Sequence, residues 1–190
     1  MDNERNRVCP VELASSLDSK MRRWLQNPRK ILAPFVKAGM KVLDVGCGPG
    51  FFSIEMAQMV GAGGRVISAD LQEGMLQELA RKVKGTALES RIKAVQCERG
   101  KINVSDQIDF ILAFYMVHEV PDKKTLFEQL KVVLKKGGQF LLVEPKLFHV
   151  SKTEFESTLK IAECVGFTVA DGPKLLLSWS AVLGNAGVAA

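Results

Sequence analysis

Val42-Leu43-Asp44-Val45-Gly46-Cys47-Gly48-Pro49-Gly50-Phe51-Phe52 joins an apolar β-rich run, a glycine-rich turn and the start of a helical pattern. A buried strand that turns in this way into a helix aims backbone N–H groups and the positive helix end at the crevice, which favours an anionic group there. Gly46 and Gly48 remove the Cβ atoms that would hold a ligand off the backbone. A nucleotide or nucleoside fits such a turn. The glycines read G-x-G-x-G, and Phe51 stands where the dinucleotide fingerprint G-x-G-x-x-G has its third glycine. Asp44, two residues before Gly46, would oppose a pyrophosphate but suits the ammonium group of an amino acid. The stretch therefore favours a nucleoside that carries an amino acid.

Downstream, Arg65-Val66-Ile67-Ser68-Ala69-Asp70 is a second apolar run ending in a carboxylate. By itself Asp70 is equally a turn or cap residue. One βαβ unit after the glycine turn, it is placed to accept hydrogen bonds from both ribose hydroxyls. Leu71 and Met75 then fall where an adenine would lie. Further strands are expected at Arg91–Gln96, Ile108–Tyr115 and Gln139–Val143. Helices are expected at Phe51–Val60, Gln72–Lys84 and Lys123–Lys135, and from the Ser151-Lys152-Thr153-Glu154 capping box to near Gly166. Alternating strands and helices predict an α/β fold with a parallel sheet. Runs at Phe167–Val169 and Leu176–Leu183, around Asp171-Gly172-Pro173, read as a closing hairpin.

Upstream, Leu13, Leu17, Met21, Trp24 and Leu25 recur at helical spacing, and Asn27-Pro28 then starts a short helix through Ala33. The reading is one domain over 1–190: a helical cap segment at 1–40 and an α/β core at 41–190. The formal net charge is +5. Before Lys41, Arg5, Arg7, Lys20, Arg22, Arg23, Arg29, Lys30 and Lys37 face Asp2, Glu4, Glu12 and Asp18. Such a run is a solvated helix face or, alternatively, an attraction for an anionic partner. Met1–Arg7 lacks the apolar core of a signal peptide, and the apolar run Phe110–Val117 is too short to span a bilayer. Cys9, Cys47, Cys97 and Cys164 have no paired spacing, so neither a disulfide framework nor a zinc site is expected, and a cytoplasmic setting fits.

With these residues in hand, the chain resembles the class I S-adenosylmethionine-dependent methyltransferase superfamily. The resemblance runs through Val42–Gly50, Asp70, Asp109–Pro121 and Lys136-Gly137-Gly138. Val117-His118-Glu119-Val120-Pro121-Asp122 is similar to the small-molecule branch that includes the ubiquinone and menaquinone methyltransferases. The resemblance implies a Rossmann-like seven-stranded sheet of order 3-2-1-4-5-7-6 with strand 7 antiparallel. It implies S-adenosylmethionine as cofactor, S-adenosylhomocysteine as product and a small-molecule methyl acceptor. It would give Asp44, Gly46 and Gly48 to the methionine moiety, with Cys47 beside the ligand as a small filler in the same turn, Asp70 to the ribose, and Leu71 and Met75 to the adenine. Where the family often has an acidic residue near the adenine amino group, this chain has Cys97, with Glu98 next to it. Contacts at the end of strand 4 fall on Ala113 and Phe114.

Methyl transfer from a sulfonium requires no metal; it needs an aligned nucleophile, exclusion of water and, for some acceptors, a base. His118, after strand 4, is the candidate base, with Glu119 and Tyr115 as lesser ones, while His149 after the fifth strand lines the substrate side or is a loop residue. A histidine there is also common in family members with different acceptors. Trp24, Phe51, Phe52 and Tyr115 can offer ring faces to a cation or serve as core. Two other classes stay open: an NAD-dependent oxidoreductase, against which Phe51 and the terminal hairpin argue, and a non-catalytic adaptor. Nucleic acid is not the expected acceptor, since Ala113-Phe114-Tyr115-Met116 replaces an Asn-Pro-Pro-Tyr-like motif.

Overall fold

Strands that are apolar at consecutive positions must bury both faces, so the sheet they form needs helices on each side. The computed structural model describes residues 26–146 and 149–186. Its strands are β1 Lys41–Val45, β2 Arg65–Asp70, β3 Ile92–Gln96, β4 Ile108–Phe114, β5 Leu134–Pro145, β6 Thr168–Asp171 and β7 Ser178–Gly184. The helices of the described residues are α1 Pro28–Leu32, α2 Ser53–Val60, α3 Glu73–Val83, α4 Lys123–Val133 and α5 Lys152–Cys164, with short 3₁₀ turns at Glu89–Arg91 and Val117–Glu119. The expected cap helix with Leu13, Leu17, Met21, Trp24 and Leu25 lies outside the described residues.

The strand order is β3-β2-β1-β4-β5-β7-β6. Strands β1 to β5 run parallel, and β7 is antiparallel to both β5 and β6. This is the Rossmann-like α/β arrangement expected from the sequence. Alternation along each strand divides the core. Leu43, Ile67, Ile111 and Phe140 join Phe127, Leu130 and Phe155 of α4 and α5 on one face. Val42, Val66, Phe110 and Leu141 join Leu32 of α1 and Met56 and Val60 of α2 on the other.

Local chemistry sets the ends. Asn27 accepts the Lys30 N–H at 3.1 Å and Pro28 takes the first helical position of α1. The Ser151/Glu154 capping box opens α5 as expected. Strand β2 ends on Asp70, the carboxylate that closes its apolar run. Strand β5 begins at Leu134 instead of Gln139. Leu134 pairs with Ile108 and Gln139 with Phe110, which leaves Lys135–Gly138 as an irregularity opposite Asp109. Strand β7 begins at Ser178, after Leu177 at φ 55°, a left-handed conformation that a β-strand cannot continue through.

The parallel strands place the C-terminal ends of β1 to β5 along one edge. Neighbours of β1 lead in opposite directions, to β2 and to β4, so a crevice opens there, where doubly wound sheets bind ligands.

Candidate active site

The glycine turn is held against β2 from below. The N–H groups of Gly46 and Cys47 both donate to the Ala69 carbonyl, at 2.8 and 3.1 Å. Gly46 has φ 68°, and a Cβ added there would lie 2.8 Å from Cβ and Cγ of Met116, so only glycine fits. At Gly50, φ 91°, a Cβ would collide with Leu79 of α3. Gly48 differs. Its φ is 52°, and a Cβ there meets no protein atom within 4 Å, so it would project into open space. Glycine at 48 suits its left-handed backbone and leaves the space in front of it open.

Asp70 faces the turn. Its Oδ2 accepts the Gly48 N–H at 2.8 Å and its Oδ1 accepts the Gln72 N–H at 2.9 Å. A carboxylate has about four acceptor sites, and the backbone N–H groups of Gly48, Gln72 and Leu71 do not fill them all. Burial pushes its carboxyl upward from the usual range, against the backbone hydrogen bonds from Gln72, Gly48 and Leu71, which lower it. Leu71, next in the chain, is 37% exposed, whereas Met75 of α3 is buried. Cys97 follows β3 and donates its N–H to the Asp70 carbonyl at 2.8 Å. Glu98 beside it is exposed and accepts from Asn103 Nδ2 at 3.1 Å.

Asp44 is turned under the loop. Its Oδ2 accepts the Ser53 hydroxyl at 2.6 Å, and Ser53 Oγ in turn accepts the Ser68 hydroxyl at 2.8 Å. All three side chains are buried. The carboxylate thus ties β1 to β2 and to the first residue of α2, beneath the turn it was expected to serve. Cys47 is buried beside it, and its thiol is raised well above the ordinary value by burial and by the charges of Asp44 and Asp70. The Cys97 thiol is pushed up to about 11 by burial and by Asp70.

Across the crevice, Ala113 and Phe114 end β4, both buried. Phe51, Phe52, Phe114 and Tyr115 form a continuous run of ring contacts with centroids 4.4 to 5.0 Å apart. Phe51 and Phe52 are core residues of the α2 face. Tyr115 sits at φ 61°, unusual for a residue with a side chain, and its N–H donates to Val143 O at 2.8 Å. Its hydroxyl accepts from Gln26 Nε2 at 2.8 Å and lies 2.5 Å from Ser178 Oγ. This engagement makes Tyr115 a clamp between the chain before α1 and the start of β7.

His118 lies in the 3₁₀ turn after β4, its side chain 23% exposed. Its Nδ1 is hydrogen-bonded to Oε2 of Glu144, and Oε1 of the same carboxylate accepts the Val117 N–H at 2.8 Å. Burial lowers the His118 pKa, but the bond to Glu144 and the charges of Glu144 and Glu119 outweigh it, so the imidazole is more basic than usual. The His149 ring lies 6.1 Å away, centroid to centroid. Glu144 was not among the sequence candidates. Its signal is a lone carboxylate closing the apolar run Phe140-Leu141-Leu142-Val143.

Comparison with known proteins agrees with this geometry. The family model for the methyltransferase domain matches residues 36–179. The demethylmenaquinone methyltransferase of Bacillus subtilis is 28% identical over 70% of this chain and 58% of its own length. The ubiquinone/menaquinone biosynthesis C-methyltransferase UbiE of Idiomarina loihiensis is 31% identical over 57% of this chain and 44% of its own. The chain thus spans about half the length of the curated relatives it matches. A crystal structure of a SAM-dependent methyltransferase from Aquifex aeolicus superposes with a TM-score of 0.78 at 29% identity, covering 92% of this chain and 99% of that one. A Rossmann-like sheet with a glycine turn facing an acidic strand end defines a nucleoside-binding class of protein. The chain belongs to the methyltransferase domain family of the class I S-adenosylmethionine-dependent enzymes, and its Bacillus subtilis and Idiomarina loihiensis relatives are quinone methyltransferases by name. Among the described residues no helix is long and apolar enough to cross a membrane.

Proposed function

We propose that this protein binds S-adenosylmethionine at the Gly46–Gly48 turn and Asp70, and transfers its methyl group to a small-molecule acceptor, releasing S-adenosylhomocysteine. The observation that carries the reading is the open space in front of Gly48, bounded by an Asp70 carboxylate with acceptor capacity to spare. The residues present suit the cofactor. Asp70 takes the ribose hydroxyls, Leu71 and Met75 lie on the adenine side, and Cys97 and Glu98 lie toward the adenine edge. Backbone atoms of Gly46, Cys47, Ala113 and Phe114 line the methionine end. Asp44 acts from below by fixing the turn through Ser53 and by lending negative charge near the ammonium group.

Bound there, S-adenosylmethionine supplies an electrophilic methyl carbon. The task of the chain is to hold an acceptor in line with it and keep water out. His118 takes the acceptor's proton, which suits an acceptor with an ionisable hydroxyl or an acidic carbon. The relatives' names make a reduced quinone ring the first acceptor to try. Calorimetric titration tests the binding reading: S-adenosylmethionine should bind and NAD should not. Asp70→Ala should weaken binding by about 1.5 to 3 kcal/mol, the range for hydrogen bonds to a charged group. Binding of NAD alone, or an unchanged affinity in folded Asp70→Ala, would reject it.

A further inference from the structure

We propose that Glu144 is a positioning residue for His118: its carboxylate keeps a proton on Nδ1, leaves Nε2 as the basic nitrogen, and stabilises the imidazolium once Nε2 has taken a proton. The inference rests on His118 being the proton acceptor of the proposed reaction, but its decisive measurement needs neither cofactor nor acceptor.

An ionisable side chain that is 2% exposed at the end of an apolar strand is costly unless its charge is hydrogen-bonded. Glu144 meets that demand with two bonds of different kinds. The Val117 amide can only donate, so it fixes Oε1. With Oε1 fixed, Oε2 is directed at His118 Nδ1. An ionised carboxylate only accepts, so the neutral imidazole must carry its hydrogen on Nδ1 and present a lone pair at Nε2. The turn holding His118 follows β4, at the sheet edge that bears the glycine turn and Asp70, which puts His118 on the crevice side of the fold.

The charged and titratable groups around the ring are Glu144 from β5, Glu119 from its own turn, Lys123 from the start of α4, and His149 beyond β5. Both glutamates favour the imidazolium and Lys123 opposes it, while burial disfavours it; the result is a histidine more basic than usual. In the proton transfer, the acceptor's X–H bond breaks, its electron pair stays on X, and the proton joins the Nε2 lone pair. The resulting cation is balanced by Glu144 and later loses its proton to water at the partly exposed ring edge.

The isosteric change Glu144→Gln discriminates this from a structural role. With its oxygen still on the Val117 amide, the glutamine would turn its NH₂ toward Nδ1 and donate to it. That moves the imidazole hydrogen to Nε2 and removes the base from the crevice. The chain has two histidines, so His149→Gln leaves one to observe by ¹H–¹⁵N correlation across a pH series. In the free protein we expect hydrogen on Nδ1 and a midpoint above the ordinary value of about 6.5. Glu144→Gln should shift the hydrogen to Nε2 and lower the midpoint, raising the acidity constant about tenfold or more. In turnover, wild-type kcat should rise with pH through the His118 midpoint, because the neutral form is the base. Glu144→Gln should cut kcat by about a hundredfold or more with KM for S-adenosylmethionine unchanged. A folded Glu144→Gln protein with the wild-type tautomer and midpoint would overturn the proposal. If that variant does not fold, Glu144→Asp, too short to reach both partners, must also lower the midpoint; an unchanged midpoint overturns the proposal equally. His118→Gln transferring methyl groups at the wild-type rate would instead defeat the general-base reading, and the spectra on Glu144 stand apart from it.

Discussion

Gly46 and Gly48 stand two residues apart in one turn, both at positive φ, and each would reject a side chain for a different reason. At Gly46 the obstacle is protein, since Cβ and Cγ of Met116 already fill the space. At Gly48 the space is open, and the obstacle would be a ligand. Alanine at either site pays about 1 to 2 kcal/mol for the left-handed backbone. Gly46→Ala must also displace Met116, so its urea unfolding should show a loss of about 2 to 4 kcal/mol. Gly48→Ala should lose only the backbone term, yet bind S-adenosylmethionine much more weakly by titration. Equal stabilities with equal affinities would contradict this division. The glycine spacing and Asp70 were legible because both are set by a few adjacent residues. The fate of the Asp44 side chain was not, because it depends on Ser68, brought beside it by the β1–β2 register. Glu144 was hidden for the same reason: its bond to His118 crosses from β5 to the turn after β4.

Asp109 shows what the opposite end of the sheet does. It sits in the irregular stretch where β4 pairs with β5, and its Oδ2 accepts the Lys41 N–H at the start of β1, at 2.8 Å. Its Oδ1 lies 2.5 Å from Lys135 Nζ. One carboxylate therefore joins three strands at the edge remote from the crevice. Asp109→Ala leaves a part-buried amide without its partner and should cost about 1 to 3 kcal/mol in chemical denaturation. Its affinity for S-adenosylmethionine should match wild type, because nothing at the turn or Asp70 is touched. Elements themselves were legible to within a few residues, since apolar runs and caps are local signals. The exceptions are instructive. The early start of β5 comes from a register jump at Asp109, and the late start of β7 from the backbone of Leu177, neither of which periodicity reports.

At the scale of the whole chain, the order of strands followed from alternation plus resemblance, and the sheet fits it. The relation of the first residues to the crevice did not. Gln26 reaches the Tyr115 hydroxyl, so the chain before α1 arrives beside the strand ends that form the candidate site. The residues preceding Gln26 lie outside the described residues; in the sequence they are rich in basic side chains, which would attract an anionic acceptor. Removing residues 1–27 should then leave S-adenosylmethionine binding measurable by calorimetry while abolishing methyl transfer. Transfer at the full-length rate would refute this.

The thiols of Cys47, buried, and Cys97, partly buried, carry a consequence of their own. A sulfonium methyl donor alkylates any good nucleophile that reaches it, and a thiolate is among the best that a protein contains. Cys47 lies in the turn and Cys97 at the neighbouring strand end, both within the charge of Asp70. Burial, assisted by that charge, keeps them protonated, Cys97 with a pKa of about 11. With the donor bound as proposed, burial first and the nearby carboxylates second would keep both thiols protonated, and intact-mass measurement after incubation with S-adenosylmethionine should show neither of them methylated.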